Sequence, residues 1–251
     1  MATKLKKLYE GKAKIIYAKN SNQVIATYKN DATAFNNLKK GSIKNKGAIN
    51  NAISSYLFQI LNHCDIPTHF IKKIDKKSQL LKKVDIIPIE VLVRNLFAGS
   101  LSKKFGIKEG TPLSDTLIEY CLKSDELGDP HISSEHILNL GLCDFDELEL
   151  IDEYSLRIND VLRSTFFSIG INLIDFKLEF GRLKVNGKNE IILADEISPD
   201  TCRLWDSITD KKLDKDRFRK DLGDLIPAYT EVAKRLGILH EQSNLSAVNV
   251  T

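Results

Sequence analysis

The chain has 251 residues, 37 Lys+Arg against 34 Asp+Glu, and a formal net charge of +3. Hydrophobic residues at 42% and charged residues at 28% are ordinary for a globular protein, and 13 Gly with 6 Pro exclude collagen-like or long disordered tracts. The even charge balance excludes an obligate nucleic-acid binder, while a pI near 8.5 suits an anionic small molecule.

In chain order, Lys7 to Tyr17 carries Gly11 between short strand-like runs, and Val24 to Tyr28 reads as another strand. From Gly47 to His63 the apolar Ile49, Ile53, Leu57 and Leu61 recur at a spacing of four, which predicts a helix. His69 to Ile74, Gln79 to Lys82 and Ile89 to Arg94 are strand-like, and Pro88 stands where the last of these can start. Asp144 and Glu147 predict a capping box. Leu148, Ile151, Ser155, Ile158, Leu162 and Phe166 then track one helical face, and Gly170 is placed to end it. Ile171 to Phe180 and Glu190 to Asp195 read as strands joined across Asn186-Gly187. Asp214 to Leu236 is helical in pattern, with Pro227 dividing or kinking it, Gly237 as a stop and Glu241 to Thr251 as a loose tail.

No run approaches the roughly 18 apolar residues of a membrane helix, so no membrane partner is expected. The opening MATKLKKLYEGKAK is basic but has neither an apolar stretch nor a small-residue cleavage site, so no signal peptide is expected. Cys64, Cys121, Cys143 and Cys202 show no CxxC, zinc or disulfide spacing. Free thiols in a reducing cytosol, and hence a cytoplasmic localisation, are expected. A soft boundary between Leu92 and Leu113 divides the chain into a β-rich lobe at 1–95 and an α+β lobe at 96–251, with a ligand cleft between them.

Several segments could carry chemistry. Alternation along Ile174 to Phe180 puts Asp175, Lys177 and Glu179 on one strand face at intervals of about 7 Å. Ile174, Phe176, Leu178 and Phe180 take the other. Taken alone, the charged stripe also fits a solvated face. The run Ala194 to Asp206 places Asp195, Glu196, Asp200, Arg203 and Asp206 just after a strand and around Trp205. Carboxylates there can hold Mg²⁺, and Arg203 suits carboxylate or phosphate. Gly11-Lys12-Ala13-Lys14 puts two lysines on one side of an extended run beside a glycine that lets a phosphate approach, without being a P-loop. Arg94 and Ser100 flank Gly99 as an anion clamp, or Ser100 simply starts a helix. The histidines lack zinc spacing, and no GxSxG is present.

These residues carry a resemblance. LYEGKAKIIY from Leu8, KNDATAFN from Lys29, IPIEVLVRNLFAGSL from Ile87, IDFKLEFG from Ile174, ADEISPDTCRLWD from Ala194 and LDKDRFRKDLG from Leu213 resemble the SAICAR synthetase family, in the family's order and over nearly the whole chain. Asn36-Asn37 departs from the Asn-Gly common in relatives. The resemblance implies a two-lobed α+β fold with an ATP-binding cleft, kinase-like or ATP-grasp-like. It implies a ligase that condenses L-aspartate with carboxyaminoimidazole ribonucleotide (CAIR), with ATP as co-substrate and Mg²⁺ as cofactor, in purine biosynthesis.

Roles follow by the same resemblance. Lys12, Ala13 and Lys14 would meet ATP phosphates, and Lys82 would lie on the inter-lobe hinge, where backbone groups read adenine. Glu179 and Asp195 would hold Mg²⁺, with Lys177 stabilising the transferring phosphoryl group. Arg94, Ser100 and Arg203 would clamp CAIR or aspartate, and Lys123 and Arg219 would bind anions. Asp175 would orient the CAIR amine or accept a proton. The expected assembly is a homo-oligomer. Two rivals fit less well: a kinase-like phosphotransferase lacks its H-R-D loop, and an RNA-binding domain lacks aromatic recognition motifs. One register conflict remains. A two-residue turn at Asn186-Gly187 would set Asp195 opposite Leu178, away from Glu179, so a three-residue turn or a bulge between Gly181 and Asp195 is expected.

Overall fold

A computed structural model describes residues 5–34 and 39–239. The Asn36-Asn37 departure and the expected tail from Glu241 lie outside them. Strands β1 (Lys7–Glu10) and β2 (Lys14–Ala18) form a hairpin, in which the Gly11 N–H donates to the Lys14 carbonyl at 2.9 Å. Lys12 and Ala13 are thus the turn itself, not part of an extended run. Next come β3 (Gln23–Tyr28), a short ribbon of β4 (Asp31–Ala34) and β5 (Lys39–Ser42), helix α1 (Lys46–His63), and strands β6 (Phe70–Lys73) and β7 (Ser78–Lys82). The first sheet runs β1-β2-β3-β7-β6. Helix α1 lays the predicted stripe beneath it: Ile53, Leu57 and Leu61 have no exposed surface. Fully burying such a side chain contributes roughly 1.5–3 kcal/mol.

The chain crosses at Lys83 and Val84 into β8 (Asp85–Leu96). Then follow α2 (Gly99–Phe105), β9 (Pro112–Leu122), β10 (His131–Ile132), α3 (Ser134–Asn139), α4 (Phe145–Phe167), β11 (Ile171–Val185), β12 (Lys188–Leu193), β13 (Cys202–Asp206), α5 (Asp216–Arg219) and α6 (Leu225–Arg235). The second sheet runs β10-β9-β8-β11-β12, with β13 also beside β11. Strand β8 therefore belongs wholly to the second sheet, and the crossing falls at 83–84 rather than at 95/96. The sheets share one apolar core, which joins Val24 and Ala26 of β3 to Leu57 of α1, Val91 of β8, Leu162 of α4 and Val232 of α6.

Local chemistry set several boundaries as expected. Asp144 accepts the Glu147 N–H at 2.9 Å, and Glu147 accepts the Asp144 N–H at 3.2 Å, which closes the capping box of α4. Other expectations are corrected. Pro88 lies inside β8, at a register break with β11 between Glu179/Glu90 and Gly181/Ile86, where no ladder N–H is required. Pro227 neither divides nor kinks a helix: it sits in the first turn of α6, where a missing N–H costs nothing. The break comes earlier, at Asp221, Gly223 and Asp224, all with positive φ. Ile174 does not share the face of Phe176. The β11–β13 register slips between Leu173 and Asp175, and Ile174 packs with Ala98 and Trp205 instead of the main core.

The hairpin conflict resolves in a third way. Val185 pairs with Lys188, and the register holds without a slip to Phe180 opposite Leu193. The turn has two residues, and no bulge interrupts this pairing. After β12 the Ala194 N–H donates to the Glu179 carbonyl at 2.8 Å. Asp195 then adopts a left-handed conformation (φ 57°), which brings its carboxylate to 3.4 Å from Lys177 Nζ. One backbone reversal does what a register shift was expected to do. Among the described residues no helix is long and apolar enough to cross a membrane.

Candidate active site

A cleft of about 1030 Å³ opens between the two sheets, and every residue predicted for the site lines it. Its apolar end is formed by Ile16, Val24, Ala26, Leu81, Val84 and Ile86, beside Lys82. The Lys82 and Lys83 N–H groups are spent on the His69 and Asn22 carbonyls at 2.7 and 2.8 Å, so these two donors are not free to read a base. His69 also lines this end, and burial pushes its imidazole down to about 3, with Lys14 adding to the effect.

The centre holds alternating charges. Lys177 on β11 bonds Glu179, reaches Glu90 of β8 at 2.9 Å and lies 3.4 Å from Asp195. Lys14 on β2 meets Asp195 at 2.5 Å and Glu196 at 3.2 Å. Lys123, beyond β9, meets Glu179 at 2.7 Å. Burial opposes the charge on Lys14, but Asp195 and Glu196 outweigh it and hold the ammonium above the usual lysine range. Burial likewise opposes ionisation of Asp195, but Lys14 and Lys177 keep its carboxyl well below the usual range. The two expected metal ligands thus share a face, bridged by an ammonium. Among the described residues no three acidic, His or Cys side chains form a ready-made metal site.

Lys12 stands apart, on the hairpin turn, and pairs across the cleft mouth with exposed Asp125 at 2.7 Å. This separates two lysines that the sequence put on one face. Lys14→Ala is expected to raise the ATP KM and lower kcat by about tenfold or more, as for a partly desolvated charge-assisted bond of roughly 1.5–3 kcal/mol. Lys12→Ala is expected to change either constant by less than about threefold. Steady-state kinetics with ATP varied would check this, and equal effects would refute the distinction.

At the far end, guanidiniums and carboxylates alternate. Glu119 of β9 accepts from Arg94 Nε at 2.5 Å, and Arg94 Nη1 donates to Asp175 at 3.0 Å. Asp175 receives Arg203 Nη1 at 2.7 Å, and Arg203 Nε donates to Asp216 at 3.1 Å. Asp216 in turn accepts from Arg219 at 2.6 Å. Ser100 touches Arg94 at 3.4 Å. Gly99 (φ 56°) is required here, since a Cβ would lie 2.3 Å from Arg203 Nη2. Asp175, expected to orient the CAIR amine or accept a proton, has its carboxylate engaged by both Arg94 and Arg203.

Sequence reasoning missed Glu90, Glu119, Asp216, Lys215 and Lys46, the buried partner of Asp200. Glu90 could have been found from alternation with Arg94 along β8. Lys46, only 1% exposed, bonds Asp200 from far along the chain and carries no local signal.

An apolar end, then lysines and carboxylates, then guanidiniums, is the layout of a nucleotide-dependent enzyme that acts on an anionic second substrate. The chain belongs to the SAICAR synthetase family, whose model matches residues 7–236. It is 65% identical over 247 residues to the phosphoribosylaminoimidazole-succinocarboxamide synthase of Pelagibacter ubique, covering 98% of this chain and 95% of that one. The crystal structure of the Ehrlichia chaffeensis synthase superposes with a TM-score of 0.92 at 51% identity, covering 94% of this chain and 100% of that one. A type-2 SAICAR synthetase in complex with ADP gives 0.89 at 44% identity, covering 93% and 99%. The protein is thus an ADP-forming carbon–nitrogen ligase of purine biosynthesis, which joins L-aspartate to CAIR with ATP.

Proposed function

We propose that this ligation runs through an acyl phosphate of CAIR. The observation that carries the reading is the Lys14–Asp195–Lys177–Glu179 cluster, set between the apolar end of the cleft and the guanidinium chain. A carboxylate is a poor acyl donor because oxide would have to leave. A CAIR carboxylate oxygen attacks the γ-phosphorus, the bond to the β,γ-bridging oxygen breaks, and ADP departs. The aspartate amine then attacks the acyl carbon, loses a proton, and phosphate leaves carrying the former CAIR oxygen. Two accessible steps replace one difficult step.

The chain's residues align and neutralise anions. The 12–14 turn and Lys14 receive the ATP phosphates, with adenine on the apolar end beside Lys82. Lys177 offsets charge on the transferring phosphoryl. Arg94, Ser100, Arg203 and Arg219 take the anionic end of CAIR, and Lys123 meets an anion beside Glu179. Asp175 holds Arg94 and Arg203 in place. The all-oxygen donor set of Glu179 and Asp195 fits Mg²⁺, which takes one or two carboxylates plus phosphate and water, and would neutralise β,γ-phosphate charge. The two sheets act as the lobes around the nucleotide, in a cytoplasmic homo-oligomer.

CAIR labelled with ¹⁸O in its carboxylate tests the route. One label per turnover is expected in the released phosphate. Unlabelled phosphate would exclude the acyl phosphate.

A further inference from the structure

The phosphate-handling end of the cleft has a carboxylate built in behind it. Asp216 is 1% exposed and is absent from the cleft lining, whereas its two hydrogen-bonded arginines, Arg203 and Arg219, line the cleft; Lys220 lies 3.9 Å from the same carboxylate. Its Oδ2 accepts from Arg203 Nε at 3.1 Å, and its Oδ1 accepts from Arg219 Nη1 at 2.6 Å. One carboxylate therefore spans two guanidiniums from different elements, β13 and α5.

The carboxylate is itself held. The Asp216 N–H donates to Asp214 Oδ1 at 2.7 Å. Asp214 Oδ2 accepts the Leu204 N–H at 2.8 Å, one residue beyond Arg203. The single turn of α5 is thus tied to β13 at the point where Arg203 leaves it.

We infer that Asp216 is a positioning residue for the substrate's phosphate: it holds Arg203 and Arg219, both of which line the cleft, as one two-guanidinium clamp. The inference rests on the reading that these arginines take the anionic end of CAIR. Arg203 spends Nε on Asp216 and Nη1 on Asp175, and its Nη2 lies against Gly99. Two free guanidiniums side by side would repel one another and sample many rotamers. A shared buried carboxylate removes both costs before the ligand arrives. Burial would raise the Asp216 carboxyl, but Arg203 and Arg219 hold it at about 2, while burial and Asp216 push the neighbouring Asp214 up to about 7.

The test uses the full chain with Asp216→Asn, Asp216→Glu and Arg219→Gln. Asp216→Asn is expected to raise the CAIR KM about 10–100-fold, as for other groups that orient a ligand-binding side chain. The KM values for ATP and aspartate should stay within about twofold, and kcat within about threefold. Inorganic phosphate, used as a competitive inhibitor against CAIR, should weaken by the same factor as the CAIR KM. Asp216→Glu should recover part of the loss. A purely structural role predicts something else: all three KM values move together with a lowered Tm, and Glu does no better than Asn. That pattern, or an unchanged CAIR KM in Asp216→Asn, would overturn the inference. Arg219→Gln separates the two levels. If it raises the CAIR KM while Asp216→Asn does not, only the positioning role fails. If it leaves the CAIR KM unchanged, the assignment of the arginines to CAIR fails as well.

Discussion

Asp195→Asn is expected to lower kcat by about 10²–10³-fold, the loss typical of deleting one preorganised electrostatic contact. The substitution keeps the shape of the side chain and removes the charge that Lys14 meets at 2.5 Å and Lys177 at 3.4 Å. Both lysines retain other carboxylates, Glu196 for Lys14 and Glu90 and Glu179 for Lys177, so the fold should survive. Activity and cooperative unfolding can therefore be read separately. A variant that unfolds like the parent yet turns over near the parent's rate would reduce the central cluster to a charge-balanced stripe.

Asp200→Asn is expected to have the largest effect on stability. Its Oδ2 meets Lys46 Nζ, and Tyr229 donates to its Oδ1 at 2.6 Å. The substitution strands a lysine that is 1% exposed, and breaking such a pair costs about 3–5 kcal/mol. The sign of the pH dependence follows from the carboxyl. Burial would raise it, but Lys46, with Lys215 behind, holds it down to about 2 in the folded chain, against roughly 3.9 unfolded. A depressed folded value contributes stability that is complete above the unfolded value and is lost as pH falls through the folded one. The gap between parent and variant in denaturant unfolding should therefore stay constant from about pH 5 to 8 and narrow below about pH 4. A gap that grew on acidification would show that this carboxylate is not what is stabilised.

How much of this was legible in sequence depended on how local the cause was. The capping box at Asp144 and Glu147, the four-residue stripe of α1 and the Asn186-Gly187 turn are set by neighbours within a few positions, and all were readable. Strand β9 was not: its side chains are mostly half-buried, so no clean alternation marks it. The Asp195 conflict arose from counting strand residues outward as though the pleat continued, whereas the left-handed residue lies just past the strand end. In the site, residues inside the family's segments were found by resemblance, and all reached the cleft. Their partners were harder to see. Arg94 names no acid by its own position, and pairing across β8, β9 and β11 selects Glu119 and Asp175. Asp216, although within a matching segment, faces away from the cleft, and only packing gives it two arginines.

The shared core also has a consequence for biosynthesis. Helix α1 is complete at His63, yet it packs against α6, which begins at Leu225. A ribosome delivers α1 long before it delivers the helix that packs on it. Phe58 finds His69 and Phe70 soon after α1 is made, whereas the Lys46 ammonium waits for Asp200 and the rest of α1 for α6, and contacts this distant in sequence form late. The side of α1 that α6 covers therefore stays open through most of synthesis.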